Sequence, residues 1–268
     1  MQRRKYIFIL MGERSMLGEK ILLWFSKKYY EPDYNIEVKS YNIDNALDRL
    51  VSAFGLKFLE NIKDKSILDY GCGGGFQVIA MALSGAKYVI GLDNRDYVFK
   101  DGINLSKEKQ IETKVRFITS LEHNQKFDII VSQNSFEHYS NPYNVLKEWI
   151  MLLKNEGKIY ITFGPPWYAP FGSHTRFFTK LPWVNILFCE STVMKVRSRF
   201  RNDGAKFYYE VDGGLNKMTV KKAEEILRAS GLELEYINYT AVKKMNILVK
   251  IPYLRELFIN NIDCVLRK

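Results

Sequence analysis

One stretch restricts the fold more than any other. Ile67-Leu68-Asp69-Tyr70-Gly71-Cys72-Gly73-Gly74-Gly75-Phe76 is an apolar run that enters a glycine-dense turn and then a helical pattern ending near Leu83. A buried strand feeding a helix through a tight turn fits that order of residues. The surrounding pattern repeats it. Strand-like segments at 66–69, 88–92, 115–118, 127–132 and 158–163 alternate with helical segments, with Gly85 and Gly157 in the connecting turns. A helix–strand pair follows at 219–230 and 233–238, and residues 261–267 form a last strand candidate. Such alternation predicts an α/β chain: a Rossmann-like, seven-stranded, mostly parallel sheet with helices on both faces.

Two regions fall outside the alternation. Residues 1–65 read as an N-terminal helical cover, with Leu17, Ile21, Trp24 and Phe25 as one apolar stripe and Leu47, Leu50, Val51, Phe54 and Phe58 as another. Glu31-Pro32-Asp33 breaks the pattern between them. Residues 164–216 are rich in aromatics and too long for an ordinary connection, which marks an insertion after the fifth strand with a functional purpose. The domain proper then spans 66–268. The basic start of the chain lacks a full apolar core behind it, so it reads as a cytoplasmic N-terminus rather than a signal peptide. Cys72, Cys189 and Cys264 are odd in number and far apart, so neither a disulfide framework nor a zinc site is expected.

The glycine turn points to an anionic or nucleotide-like ligand. Glycine lets the backbone approach a ligand closely, and helix N-terminal amides favour negative charge. Asp93 closes the second strand, where a carboxylate can accept both hydroxyls of a ribose. The dinucleotide pattern would require glycine at 76, where Phe76 stands. The chain instead has Asp-x-Gly-x-Gly-x-Gly at Asp69, Gly71, Gly73 and Gly75.

With Phe127-Asp128 through Ser132, Phe136-Glu137-His138, the Leu152–Gly157 turn and Asn216 before the last helix, these motifs resemble the class I S-adenosylmethionine-dependent methyltransferases. The resemblance is strongest to the broad bacterial group acting on small molecules and glycan precursors. It implies S-adenosyl-L-methionine as cofactor. Gly71 and Gly73 would line its methionyl part, with Asp69 near the ammonium, Asp93 on the ribose, and Asn94 and Leu121 beside the adenine. Gln133 would sit near the sulfonium. Glu122 would take the place of the Asp that many relatives use toward the adenine amine.

The implied activity is methyl transfer to a small molecule or glycan, with oxygen favoured, and no metal is required. Of the three histidines, His123 reads as a surface residue and His138 as an orienting one. His174, in the insertion, is the candidate catalytic base, expected to titrate near its ordinary pH of about 6.5. Gly164-Pro165-Pro166-Trp167 lies after the wrong strand, and begins with the wrong residue, for a base-methylating motif. It is expected to present Trp167 and Tyr168 to a substrate.

Charge leaves alternatives open. The formal net charge is +10, and residues 164–268 carry 17 Lys/Arg against 10 Asp/Glu. Lys195/Arg199 and Arg197/Arg201 are like-charged pairs four residues apart on an expected helix, which reads either as a lid for an anionic substrate or as a solvated basic helix capping a satellite core. A phosphate-bearing or lipid-linked substrate and a peripheral membrane contact are therefore both open. Nucleic acid is disfavoured, and an RNA methyltransferase or an idle cofactor-fold subunit stand as the alternatives.

Overall fold

The computed structural model describes residues 16–29, 42–122, 125–243 and 245–268. The start of the chain, the Glu31-Pro32-Asp33 break and His123 lie outside the described residues.

The helices before the sheet are α1 (Met16–Tyr29), α2 (Ile43–Phe54) and α3 (Lys57–Ile62). The alternating part follows as β1 (Ser66–Tyr70), α4 (Phe76–Leu83), β2 (Tyr88–Leu92), α5 (Lys100–Glu108), β3 (Val115–Ile118), β4 (Phe127–Gln133), α6 (Pro142–Leu152) and β5 (Leu153–Phe163). The insertion holds α7 (Val184–Leu187) and α8 (Glu190–Arg197). The chain closes with α9 (Val220–Ala229), β6 (Glu233–Ala241), α10 (Asn246–Val249), α11 (Arg255–Phe258) and β7 (Ile259–Arg267).

The strands form one seven-stranded sheet in the order β3-β2-β1-β4-β5-β7-β6, in which β7 runs antiparallel to both neighbours and the other observed pairings are parallel. That is the expected mostly parallel architecture. Adjacent strand residues separate to opposite faces, as the period of two requires. Leu68, Ile90, Ile130 and Ile159 pack with Leu146 and Trp149 of α6 and with Ala223 and Leu227 of α9. Ile67, Val89 and Ile129 pack on the other face with Val78 and Ile79 of α4, Leu50 of α2, and Phe58 and Ile62 of α3. Each large apolar side chain buried in this way contributes about 1.5–3 kcal/mol. Local caps agree with the packing: Asn141 accepts from the Asn144 N–H ahead of α6, and Thr219 from the Lys222 N–H ahead of α9.

Three expectations change. Gly157 lies inside β5, which starts at Leu153 directly after α6, rather than in a separate turn. Of the stripe on α1, Leu17 and Trp24 are exposed. The buried face carries Gly18, Leu22 and Ser26, where small residues let the helix approach its neighbour closely. Helices α1 and α2 also do different things. While α2 covers the sheet through α4, Leu22 of α1 joins a third core with Phe178, Val193, Val196 and Tyr208 of the insertion.

That third core explains the basic helix. Glu19 of α1 pairs with Lys195 at 2.7 Å and Arg199 at 2.6 Å, while Asp203 binds the buried Arg197 in two-pronged fashion. Arg201 lies over the Phe177 ring. Glu19 and Asp203 are thus the anionic neighbours of a basic helix that caps a satellite core, the second of the two readings open for these pairs.

Candidate functional site

Strands β1, β2, β4 and β5 all end on one edge of the sheet, and their loops are tied together there. The N–H groups of Gly71 and Cys72 donate to the Leu92 carbonyl at 2.8 and 3.0 Å, and the Gly73 N–H donates to Asp93 Oδ2 at 3.1 Å. Asp93 Oδ1 accepts from both the backbone and the Nε of Arg95 at 3.1 Å. Gly71 (φ +85°) brings the turn against Ser135, whose hydroxyl donates to the Gly71 carbonyl at 3.2 Å. A Cβ on Gly71 would lie 2.5 Å from that Ser135 oxygen. Gly73 (φ +50°) differs, because a Cβ there would meet nothing within 4 Å. Its backbone faces open space, as a ligand-facing turn requires.

Asp69 sits behind this turn. It is buried, and neither carboxylate oxygen has a hydrogen-bond partner among the described residues. Burial first, and the Asp93 charge second, push its pKa up to about 7. Among the described residues such a carboxyl has no cationic or donor partner, and that is the strongest chemical signal of the site. The sign of the linkage is the reverse of the usual carboxylate case. The folded chain holds a proton on Asp69 that the unfolded chain loses near pH 3.8, so folding stability falls as pH rises from about 4 to 7. Asp69→Asn is therefore expected to raise the melting temperature by about 5 °C at pH 8, with the gain vanishing near pH 4. Thermal scans at the two pH values check this, and a lower melting temperature for the variant at pH 8 would mean that Asp69 has a partner.

The other expected residues are placed less alike. Asn94 is exposed next to Asp93, and Leu121 packs on the sheet core just past β3. Gln133 ends β4 in register with Thr162. Glu122 is exposed and accepts from Arg116 at 2.8 Å, so it is engaged outward rather than toward an adenine. Trp167 turns its ring edge-on to Tyr208 at 4.9 Å and packs on the insertion core, which leaves Tyr168 as the exposed aromatic of that pair.

His174 stands 5.3 Å from His138, ring centre to ring centre, with its Nε2 buried and lacking a partner among the described residues. Desolvation, then the neighbouring His138, lower its pKa to about 4. This corrects the expected titration near 6.5. His138 Nδ1 lies 2.6 Å from the Gly214 carbonyl, which can only accept, so Nδ1 carries the proton. The backbone N–H of His138 in turn donates to Ser135, the residue that holds Gly71.

Tyr139, Arg95 and Asp212 of this edge were not singled out from the sequence, and the contacts of Ser132, Glu137 and Asn216 were not foreseen. The Tyr139 hydroxyl donates to the Tyr70 carbonyl at 2.8 Å and accepts from Ser132. Asn216 Nδ2 donates to the carbonyls of Phe136 and Tyr139, both at 2.9 Å, and Glu137 accepts from the Gly164 N–H. Arg95 also pairs with Asp212 at 3.7 Å. The end of the insertion, 212–216, thus clamps the loops after β2 and β4.

Among the described residues no group of three or more His, Cys, Asp or Glu could hold a metal ion. No described helix is long and apolar enough to cross a membrane.

Residues 61–165 match the methyltransferase-domain family. A ubiquinone biosynthesis O-methyltransferase of Coxiella burnetii is 30% identical over 121 residues, which are 42% of this chain and 50% of that protein. The chain spans about half the length of the curated relatives it matches. A putative S-adenosylmethionine-dependent methyltransferase from Listeria monocytogenes superposes with a TM-score of 0.54 at 16% identity, covering 83% of this chain and 97% of its own. The magnesium protoporphyrin IX methyltransferase of Synechocystis, solved with bound SAH, gives 0.54 at 15% identity over 94% and 99% of the two chains. The fold is that of the class I methyltransferases.

Proposed function

On a class I methyltransferase sheet whose residues 61–165 match the methyltransferase-domain family, we propose that this chain transfers a methyl group from S-adenosyl-L-methionine to an oxygen of a small molecule or glycan precursor. The observation that carries the reading is the orphaned carboxyl of Asp69 behind a glycine turn that opens on free space at Gly73. These residues fit the cofactor. Asp69 would face the ammonium, Gly71 and Gly73 would line the methionyl part, and Asp93 would take the ribose hydroxyls. Asn94 and Leu121 would flank the adenine, and Gln133 would border the sulfonium. The O-methyltransferase named among the relatives supports oxygen as the acceptor atom.

Bound there, S-adenosyl-L-methionine would supply a methyl group on an already cationic leaving group. The protein's share is alignment, exclusion of water and a place for the acceptor's proton. Asp93 and Ser135 fix the turn, and the insertion closes the edge through Asp212 and Asn216. His174 Nε2, neutral and unpartnered, is the group that would accept the hydroxyl proton.

The RNA reading loses part of its support, because Lys195 and Arg199 share Glu19 and Arg197 pairs with Asp203 within the chain. A cytoplasmic location belongs to the same proposal. Calorimetry with S-adenosylmethionine and with its demethylated product tests it: both should bind, whereas RNA should bind weakly, non-specifically and less as salt rises from about 50 to 200 mM. Tight binding of one RNA that Arg201→Glu abolishes with the melting temperature unchanged would overturn the small-substrate reading. Failure to bind either cofactor form would overturn the enzyme reading and favour the idle subunit.

A further inference from the structure

The connection between β6 and β7, spanning 242–258, carries exposed apolar residues among its described positions. Registers Ala241↔Ile259 and Phe163↔Ile262 place it at the end of β5, on the same edge of the sheet as the glycine turn and beside the insertion. Phe258 lies edge-on to Trp183 of the insertion at 5.9 Å. Its base is firmly anchored. The Val242 N–H donates to the Phe258 carbonyl, Arg255 pairs with Glu224 at 2.6 Å, and Glu256 accepts from the first amides of α9. Val249 packs inward on the sheet core.

The outer side carries the opposite chemistry. Ile247 is 77% exposed and Tyr253 92%, with Met245 and Ile251 exposed beside them. Four such side chains on one short projection are a patch rather than scattered surface residues. Lys243 and Lys250 are exposed among them and form no ion pair among the described residues. The sequence from Tyr236 to Arg255 contains no Asp or Glu. Unlike the basic helix of the insertion, Lys243 and Lys250 have no carboxylate partner among the described residues.

Apolar tips flanked by two lysines without an ion pair among the described residues match the interface of an anionic bilayer. Aliphatic side chains can enter the acyl boundary, a tyrosine suits the headgroup level, and lysines reach lipid phosphates on their flexible stems. Helices α10 and α11 have four residues each, far short of a span. We propose that residues 242–258 dock the chain on an anionic lipid surface, with the edge of the sheet that carries the candidate site turned toward it. This inference stands apart from the methyl-transfer reading, since docking requires only the surface.

Flotation of the full chain with phosphatidylcholine vesicles, with and without about 30% phosphatidylglycerol, tests it. Partition onto the anionic vesicles should exceed that onto neutral ones by about ten-fold or more. Ile247→Asp/Tyr253→Asp should abolish it, and Lys243→Ser/Lys250→Ser should lower it by about five-fold per lysine. Unchanged melting temperatures would show that these surface variants stay folded. Met151→Asp, an exposed residue near the start of β5 on the opposite edge, should bind like the wild type. Absence of binding, or binding that Ile247→Asp/Tyr253→Asp retains, would overturn the proposal. So would a dimer that this variant dissolves in the absence of any vesicle binding, which would assign the face to a second copy of the chain.

Discussion

Asp93→Ala is expected to weaken S-adenosylmethionine binding by about 2–4 kcal/mol, or roughly 30- to 1000-fold. Two effects combine. The carboxylate would hold both ribose hydroxyls through charge-assisted hydrogen bonds, and it also holds the Gly73 N–H and Arg95, so its loss loosens the turn it faces. Asp93→Asn separates the two. The amide oxygen can still accept from Gly73 without the charge, so this variant should bind better than the alanine one but worse than wild type. Calorimetry on the three proteins decides the matter. Equal affinities for Asp93→Ala and wild type would mean that the ribose is held elsewhere.

The strands and the glycine turn were legible because their signals are local. Short apolar runs, glycines at a turn and an acid at a strand end are all written in neighbouring residues. The contacts that were not legible are long-range. Glu19 and Arg199 meet across 180 positions, so the like-charged pairs of the insertion gave no sign of what neutralises them. Ser135, Glu137 and Asn216 are ordinary polar residues until the fold brings them to Gly71, Gly164 and the β4 loop. On α1, hydrophobicity pointed to Leu17 and Trp24, whereas Gly18 and Ser26 are buried for their size. At the other end, nothing in the sequence pattern of 242–258 distinguishes the inward Val249 from the outward Ile247. The pocket for Asp69 was legible as a motif, but its lack of a partner required the packed structure.

Loss of His174 should cost turnover and leave the cofactor alone. His174→Ala is expected to lower kcat about 10²-fold with unchanged S-adenosylmethionine affinity, because general-base assistance acts in the transition state and not on the bound cofactor. Burial and His138 change how this base works. With its pKa lowered to about 4, His174 is neutral throughout the physiological range, so wild-type activity should show no acid limb near pH 6.5 arising from this residue. A neutral form that dominates above about pH 4 is lost only as pH falls through that value. The same shift has a signature in stability. Between about pH 6.5 and 4 the unfolded chain binds a proton on His174 that the folded chain refuses, so stability declines as the solution is acidified through that window. His174→Ala should make that decline shallower, whatever its effect on catalysis. Full turnover in a variant that shows the shallower acid decline would leave His174 as a buried wall residue and pass the proton to another acceptor.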